Sequence, residues 1–257
     1  MQTTDSVFFI SGGASGLGEA VARRAIAGGA GGVVIADLNL AAAQSLASEL
    51  GDRAFAVEVD VQSTEAISAG INAGIEKFGR LHVAVNCAGI GWAERTLDRE
   101  SKAASIDNYR RVININLIGT YDVSRLAAEQ MAKNDPNADG ERGVVVLTSS
   151  LAAFDGQIGQ AAYSSSKGGI VGLTLPLSRD LSPVGVRVMT IAPGLFDTPI
   201  YDTMPPGLKE HLASTPVFPR RLGLPDEYAH LVQTVVENAY LNGETIRLDA
   251  ALRMAPK

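Results

Sequence analysis

Seven short runs of nearly unbroken apolar residues, separated by longer stretches with helical periodicity, constrain this chain more than any other feature. The runs are Val7–Ser11, Gly32–Asp37, Ala54–Val59, His82–Asn86, Gly143–Ser149, Arg187–Ala192 and Thr245–Leu248. Helical patterns fill Leu17–Ala27, Leu40–Leu50, Thr64–Phe78, Ile106–Lys133, Tyr163–Leu181 and Pro225–Tyr240. A strand that is apolar at almost every position offers no face to water and must be covered on both sides by helices. Right-handed crossovers between such strands build an open, parallel, doubly wound sheet. The expected fold is therefore a Rossmann-type α/β fold of about seven strands with helices on both faces. Folding a chain of this length buries about 72% of its unfolded surface, ample for one core, so residues 1–257 read as a single domain. Two segments lack periodicity, Gly91–Ser105 and Leu195–Leu224. Each follows the carboxyl end of a strand, where this architecture binds ligands, so both are expected to contact substrate.

Charge and cysteine usage remove several function classes. A formal net charge of −6 argues against a nucleic-acid or anionic-membrane surface. The single cysteine, Cys87, rules out a disulfide framework and is expected to pack as a small apolar side chain. No His/Cys grouping has metal-site spacing, so no metal is expected. The apolar runs fall well short of the ~20 residues needed to span a bilayer. Met1–Asp5 carries no secretory signal pattern, so a cytoplasmic location is expected.

Ser11-Gly-Gly-Ala-Ser-Gly-Leu-Gly18 joins the first strand to the first helix. Gly12, Gly16 and Gly18 allow a tight turn, close approach of the backbone to a diphosphate and close helix–strand packing. The helix N-terminus adds free N–H groups and a partial positive charge. A glycine-rich turn also occurs without any ligand, and Asp37 shifts the weight. It ends the second strand 19 residues after Gly18, where a carboxylate accepts hydrogen bonds from the adenosine ribose. It would repel a 2′-phosphate, and neither Ser15 nor Leu38 supplies a cation, so NAD is expected rather than NADP. The plainer reading of Asp37 is a strand-end turn residue.

Ser150 ends the fifth strand, and Tyr163-Ser-Ser-Ser-Lys167 opens the helix that follows. Tyr163 and Lys167 are four apart and share a helical face. A phenol of pKa ~10 becomes a usable base near pH 7 only if its environment supplies about 4 kcal/mol. A neighbouring ammonium and an oxidised nicotinamide are of the right sign to do so. Ser150 would hold the same substrate oxygen. Gln157 and Gln160, between Ser150 and Tyr163, are placed either to meet an acyl carbonyl or merely to cap a turn.

These segments together resemble the short-chain dehydrogenase/reductase family across nearly the whole chain. The resemblance implies that Ser11, Ser15 and Leu17 join the glycines at the cofactor, and that Asp60 and Val61 flank the adenine ring. Asn86-Cys-Ala-Gly89 is similar to the family's Asn-Asn-Ala-Gly segment, with Cys87 in place of the second asparagine. It implies cofactor contacts for Asn86, Ala88 and Gly89, with Asn86 also left to stabilise the central strand. Asn116 aligns with the catalytic asparagine that holds a water in the proton relay, with Asn114 the neighbouring alternative. Pro193, Gly194, Phe196 and Thr198 fall on the nicotinamide side.

Within the family, Phe78–Gly89, Gly156–Tyr163, Arg187–Phe196, Glu227–Gln233 and Leu241–Asp249 resemble the branch of type-2 3-hydroxyacyl-CoA dehydrogenases. That likeness implies oxidation of 3-hydroxyacyl-CoA by NAD. A hydroxysteroid or other secondary alcohol is the alternative substrate, and a non-catalytic NAD-binding scaffold the remote one. The resemblance also implies a homotetramer. Small residues on the Tyr163 helix (Ser165, Ser166, Gly168, Gly169 and Gly172) and the open edge of the last strand point the same way. His82, His211 and His230 are expected to be structural. Trp92 either floors the cleft or anchors its loop. Arg95, Arg99 and Lys102, or Lys209, Arg220 and Arg221, either meet CoA phosphates or stay solvated.

Overall fold

The computed structural model describes residues 1–199 and 207–256. Seven strands, β1 (Val7–Ser11), β2 (Gly32–Asp37), β3 (Ala54–Glu58), β4 (Val83–Asn86), β5 (Gly143–Thr148), β6 (Val186–Pro193) and β7 (Thr245–Leu248), form one sheet. Its order is β3-β2-β1-β4-β5-β6-β7, and every pairing is parallel. This is the doubly wound sheet expected from the apolar runs. The strand order reverses between β1 and β4, which pair with Ser11 opposite Asn86, and a crevice opens at such a reversal.

Alternation within the strands divides the core in two. Phe8, Ile10, Val33, Ile35, Val144 and Val146 face α1 (Gly16–Ala27), α2 (Leu40–Leu50) and α8 (Pro225–Glu237). Phe9, Val34, Ala84, Val145, Leu147 and Val188 face α3 (Thr64–Phe78), α5 (Gly119–Met131) and α6 (Ala161–Leu181). Nearly all of these side chains are completely buried, each contributing roughly 1.5–3 kcal/mol. That continuous burial is why the strands read as unbroken apolar runs.

Two expectations change. The single helix expected over Ile106–Lys133 is α4 (Ile106–Ile113), a π-turn at Asn114–Ile118 and then α5. The buried positions Val112, Asn116, Thr120 and Val123 keep near-α spacing through it, and two of them are polar, so periodicity does not reveal it. The second is α7 (Leu208–Ala213), inside the segment read as aperiodic. Six residues are too few to display a 3.6-residue period. Positions 200–206 of that segment lie outside the described residues. Among the described residues no helix is long and apolar enough to cross a membrane.

Candidate active site

A cleft of about 580 Å³ opens over the carboxyl ends of the central strands. The glycine loop, with Asp37, Asp60 and Val61, lines one part of it and has Thr198 against Gly16; Ser150, Tyr163, Lys167, Pro193, Gly194 and Phe196 line another, with Ala88–Gly89 also in the lining.

The glycine loop fits a dinucleotide diphosphate. Gly12 has φ +65°, and a Cβ there would stand 2.6 Å from the Ala88 nitrogen; a Cβ on Gly18 would stand 2.2 Å from the Gly12 oxygen. The backbone is thus pressed to a closeness that side chains would forbid. Ser15 is the N-cap of α1, yet its side chain makes no capping hydrogen bond, so the helix presents uncapped N–H groups to the cleft. Asp37 is bonded as the strand-end turn residue. Its Oδ2 accepts from the Ala14 nitrogen at 3.0 Å and its Oδ1 from the Asn39 nitrogen at 2.9 Å, fixing the loop against β2. Each oxygen keeps a lone pair for a ribose hydroxyl.

Ser11 and Asn86 lie beneath the cleft rather than on it. Asn86 Nδ2 donates to Ser124 Oγ at 3.3 Å, tying β4 to α5. Ser11 Oγ and Asn86 Oδ1 are buried with no hydrogen-bond partner among the described residues.

In the other part α6 brings Tyr163 and Lys167 together, with the Lys167 Nζ 5.8 Å from the Tyr163 ring centroid. Lys167 is buried, and its Nζ donates to the Thr148 carbonyl at 2.9 Å. Burial lowers its pKa to about 8, so it remains mostly charged at neutral pH. The Tyr163 phenol is pushed up by burial, against which the Ser150 hydroxyl works. The lowering expected from the sequence is therefore not what the surrounding groups produce. Ser150 caps the short turn Leu151–Ala153, its Oγ accepting from the Ala152 nitrogen at 3.1 Å. Asn116 stands behind them, wholly buried, whereas Asn114 is exposed. Asn116 Oδ1 accepts from the Ile90 nitrogen at 2.8 Å, while Nδ2 donates to the Ile90 oxygen at 2.9 Å and to Ser166 Oγ at 3.1 Å. Both amide hydrogens are committed, so the side chain pins the segment after β4 to the π-turn and to α6.

Gln157 and Gln160 do not line the cleft. Gln160 Oε1 accepts from the Gln157 nitrogen at 3.0 Å, and Gln157 Nε2 donates to the Ala255 oxygen at 3.0 Å. This is the turn-capping arrangement, extended to the C-terminal segment. Trp92 anchors its loop through Nε1, which donates to Glu94 Oε2 at 3.1 Å. Lys209 pairs with Asp197 at 2.7 Å and Arg221 with Glu227 at 2.8 Å. Arg95, Arg99 and Lys102 instead ring a separate hollow in the 91–105 segment. His82 is structural, its Nδ1 accepting from the Val7 nitrogen at 2.9 Å.

Sequence reasoning missed Leu38, Gln62, Cys87, Ile90, Arg111, Ile115 and Thr148, all of which line the cleft. Cys87 does more than fill space. Its thiol contacts the Thr148 and Tyr228 hydroxyls, which share a 2.7 Å hydrogen bond, and burial raises its pKa so that it stays protonated.

The family described as short chain dehydrogenase matches residues 6–208. The chain belongs to that family. Among short-chain dehydrogenases it is 53% identical over 251 residues to a Bos taurus protein named 3-hydroxyacyl-CoA dehydrogenase type-2, covering 97% of this chain and 96% of that one. The Homo sapiens protein of the same name is 50% identical with the same coverage. The crystal structure of 3-hydroxyacyl-CoA dehydrogenase type-2 from Mycobacterium avium superposes with a TM-score of 0.94 at 44% identity, covering 98% of each chain. A 3-ketoacyl-(acyl-carrier-protein) reductase from Brucella melitensis, complexed with NADH, gives a TM-score of 0.85 at 27% identity over 98% of this chain and 100% of that one.

Proposed function

We propose that this short-chain dehydrogenase is an NAD-dependent enzyme interconverting 3-hydroxyacyl-CoA and 3-oxoacyl-CoA. The observation that carries the proposal is the convergence of Ser150, Tyr163 and Lys167 in one part of a cleft whose other part has a glycine loop and Asp37. The substrate class is supported by relatives at 50–53% identity named 3-hydroxyacyl-CoA dehydrogenase type-2. The cofactor is supported by the fit of the loop and by the NADH complex of the Brucella relative. When bound, the nicotinamide supplies hydride acceptance and, in its oxidised form, a positive charge.

The chain's own residues do the rest. Ser150 holds the substrate oxygen through its hydroxyl. Tyr163 takes the substrate's hydroxyl proton on its phenolic oxygen during oxidation and returns it during reduction. Lys167, charged and buried, favours the phenolate and holds the cofactor ribose. Asn116 keeps the Ile90 segment and α6 in register, which fixes the position of both groups. Pro193, Gly194, Phe196 and Thr198 wall the nicotinamide side, while Asp60 and Val61 flank the adenine.

The same proposal takes 1–257 as one domain, with substrate contacts from the segments near 91–105 and 195–224. It includes a cytoplasmic homotetramer. The assembly is supported by α6, where a Cβ on Gly172 would meet nothing within 4 Å, leaving room for a second helix. Light scattering that gives a monomer would overturn the assembly. The test of the chemistry is Tyr163→Phe. Turnover should fall by about a thousandfold or more while NADH affinity stays within twofold, because only proton transfer is lost. Turnover within threefold of the parent would refute the assignment.

A further inference from the structure

We infer that Arg111 is a cofactor-binding residue, closing over the dinucleotide diphosphate from the side opposite the glycine loop; this rests on the proposed use of NAD. Lys167 and Arg111 are the two cations among the described residues that line the cleft. Lys167 is buried and held by the Thr148 carbonyl. Arg111 is exposed, and its guanidinium makes no hydrogen bond or ion pair with any described residue. Arg110, beside it, pairs with Asp107 at 3.1 Å. Of these two neighbouring arginines, the one without a partner among the described residues is the one that lines the cleft.

The fold brings it there by two devices. A Cβ on Gly119 would stand 2.8 Å from the Val61 oxygen, and Thr64 Oγ1 donates to Asp122 Oδ2 at 2.6 Å. These contacts press α5 against the Asp60–Thr64 turn. The π-turn at Asn114–Ile118 then lets Ile115 line the cleft while Asn116 turns inward to Ile90 and Ser166. Arg111 lies one turn before Ile115 on the same face. A planar fork of N–H donors suits diphosphate oxygens better than any other part of the cofactor. The charge is also in demand. Asp37 and Asp60 line the cleft, the whole chain carries −6, and the ligand brings two further negative charges on its diphosphate.

The test is calorimetric titration of the protein without cofactor, comparing the parent, Arg111→Ala and Arg111→Lys. Arg111→Ala should weaken NADH and ADP-ribose by about tenfold, as expected for loss of one charge-assisted contact. Adenosine, which has no phosphate, should change by less than twofold, and Arg111→Lys should recover part of the loss. An equal loss for adenosine would mean stacking on the base and would overturn the diphosphate assignment. A loss confined to CoA would place the arginine on the substrate's diphosphate and also overturn it. No loss for NADH, with the parent binding normally, would refute this inference and leave the proposed function intact. A parent that binds no NADH would refute both. Because Arg111 is exposed, the melting temperature should hold, and a drop above a few degrees would mark a folding defect as the cause of any lost binding, overturning the inference.

Discussion

The two ends of the cleft are built from different materials. The cofactor end consists of strand ends, a helix N-terminus and glycines locked by backbone contacts, with Asp37 bonded to the loop it serves. The segments near 91–105 and 195–224, proposed to contact substrate, hold among their described residues short elements, isolated bridges and surface charge. A part fixed by the sheet can be read as chemistry, because each residue there has a backbone reason to stand where it does. A part carried on loops keeps its chemistry in side chains whose partners arrive only with the ligand.

That contrast can be broken first at Gly12. Gly12→Ala should lower NADH affinity by about a hundredfold and cost about 1–3 kcal/mol of stability, since φ +65° and the 2.6 Å approach to Ala88 leave no room for Cβ. Fluorescence titration with NADH and thermal melting would measure both. Near-parental affinity would mean that the loop yields and the cofactor end is not rigid. Asp37→Ala sharpens the comparison from the same end. Discrimination for NAD over NADP should fall by about ten- to thirtyfold, because the ribose acceptor and the phosphate repeller are the same carboxylate. A parent that already uses both cofactors equally would contradict that role.

At the substrate end the expected effects shrink. Arg95→Ala or Arg99→Ala should leave NADH affinity within twofold and reduce acyl-CoA kcat/KM by less than about fivefold, as for an exposed ionic contact. No change at all would assign these cations to solvent. The smallest effect lies away from the cleft. Burial, with a lesser push from Arg80, lowers the His82 pKa in the fold. The unfolded chain therefore takes up the proton first, so this residue's support is complete above pH ~6.5 and declines as pH falls below it. Thermal melts from pH 7.5 to 5.5 should show the decline, and His82→Gln should reduce it.

The legibility of the sequence follows the same division. Strand positions, sheet class, the glycine loop, Asp37 and the Ser150–Tyr163–Lys167 set were readable because each is local in sequence and repeats a backbone requirement. The π-turn was not, since the buried positions from Val112 to Val123 keep near-α spacing through it. Its consequence, Arg111 and Ile115 on the cleft with Asn116 behind, was hidden for the same reason. Gln157 and Gln160 stayed open between two readings in the sequence, because one of their partners, the Ala255 oxygen, depends on how the chain folds back at its far end.

The central claim is that the cleft serves a 3-hydroxyacyl-CoA and not simply any secondary alcohol. Remote contacts with a large handle help orient the reacting carbon, so truncated substrates should lose turnover as well as affinity. The most direct measurement compares kcat/KM, followed by NADH absorbance, for acetoacetyl-CoA reduction and for oxidation of 3-hydroxybutyryl-CoA, a 17β-hydroxysteroid and a simple secondary alcohol. The acyl-CoA pair should stand highest and the simple alcohol lowest in both kcat and kcat/KM. A hydroxysteroid with kcat/KM about tenfold above every acyl-CoA tested, a margin of ~1.4 kcal/mol in transition-state binding, would contradict it.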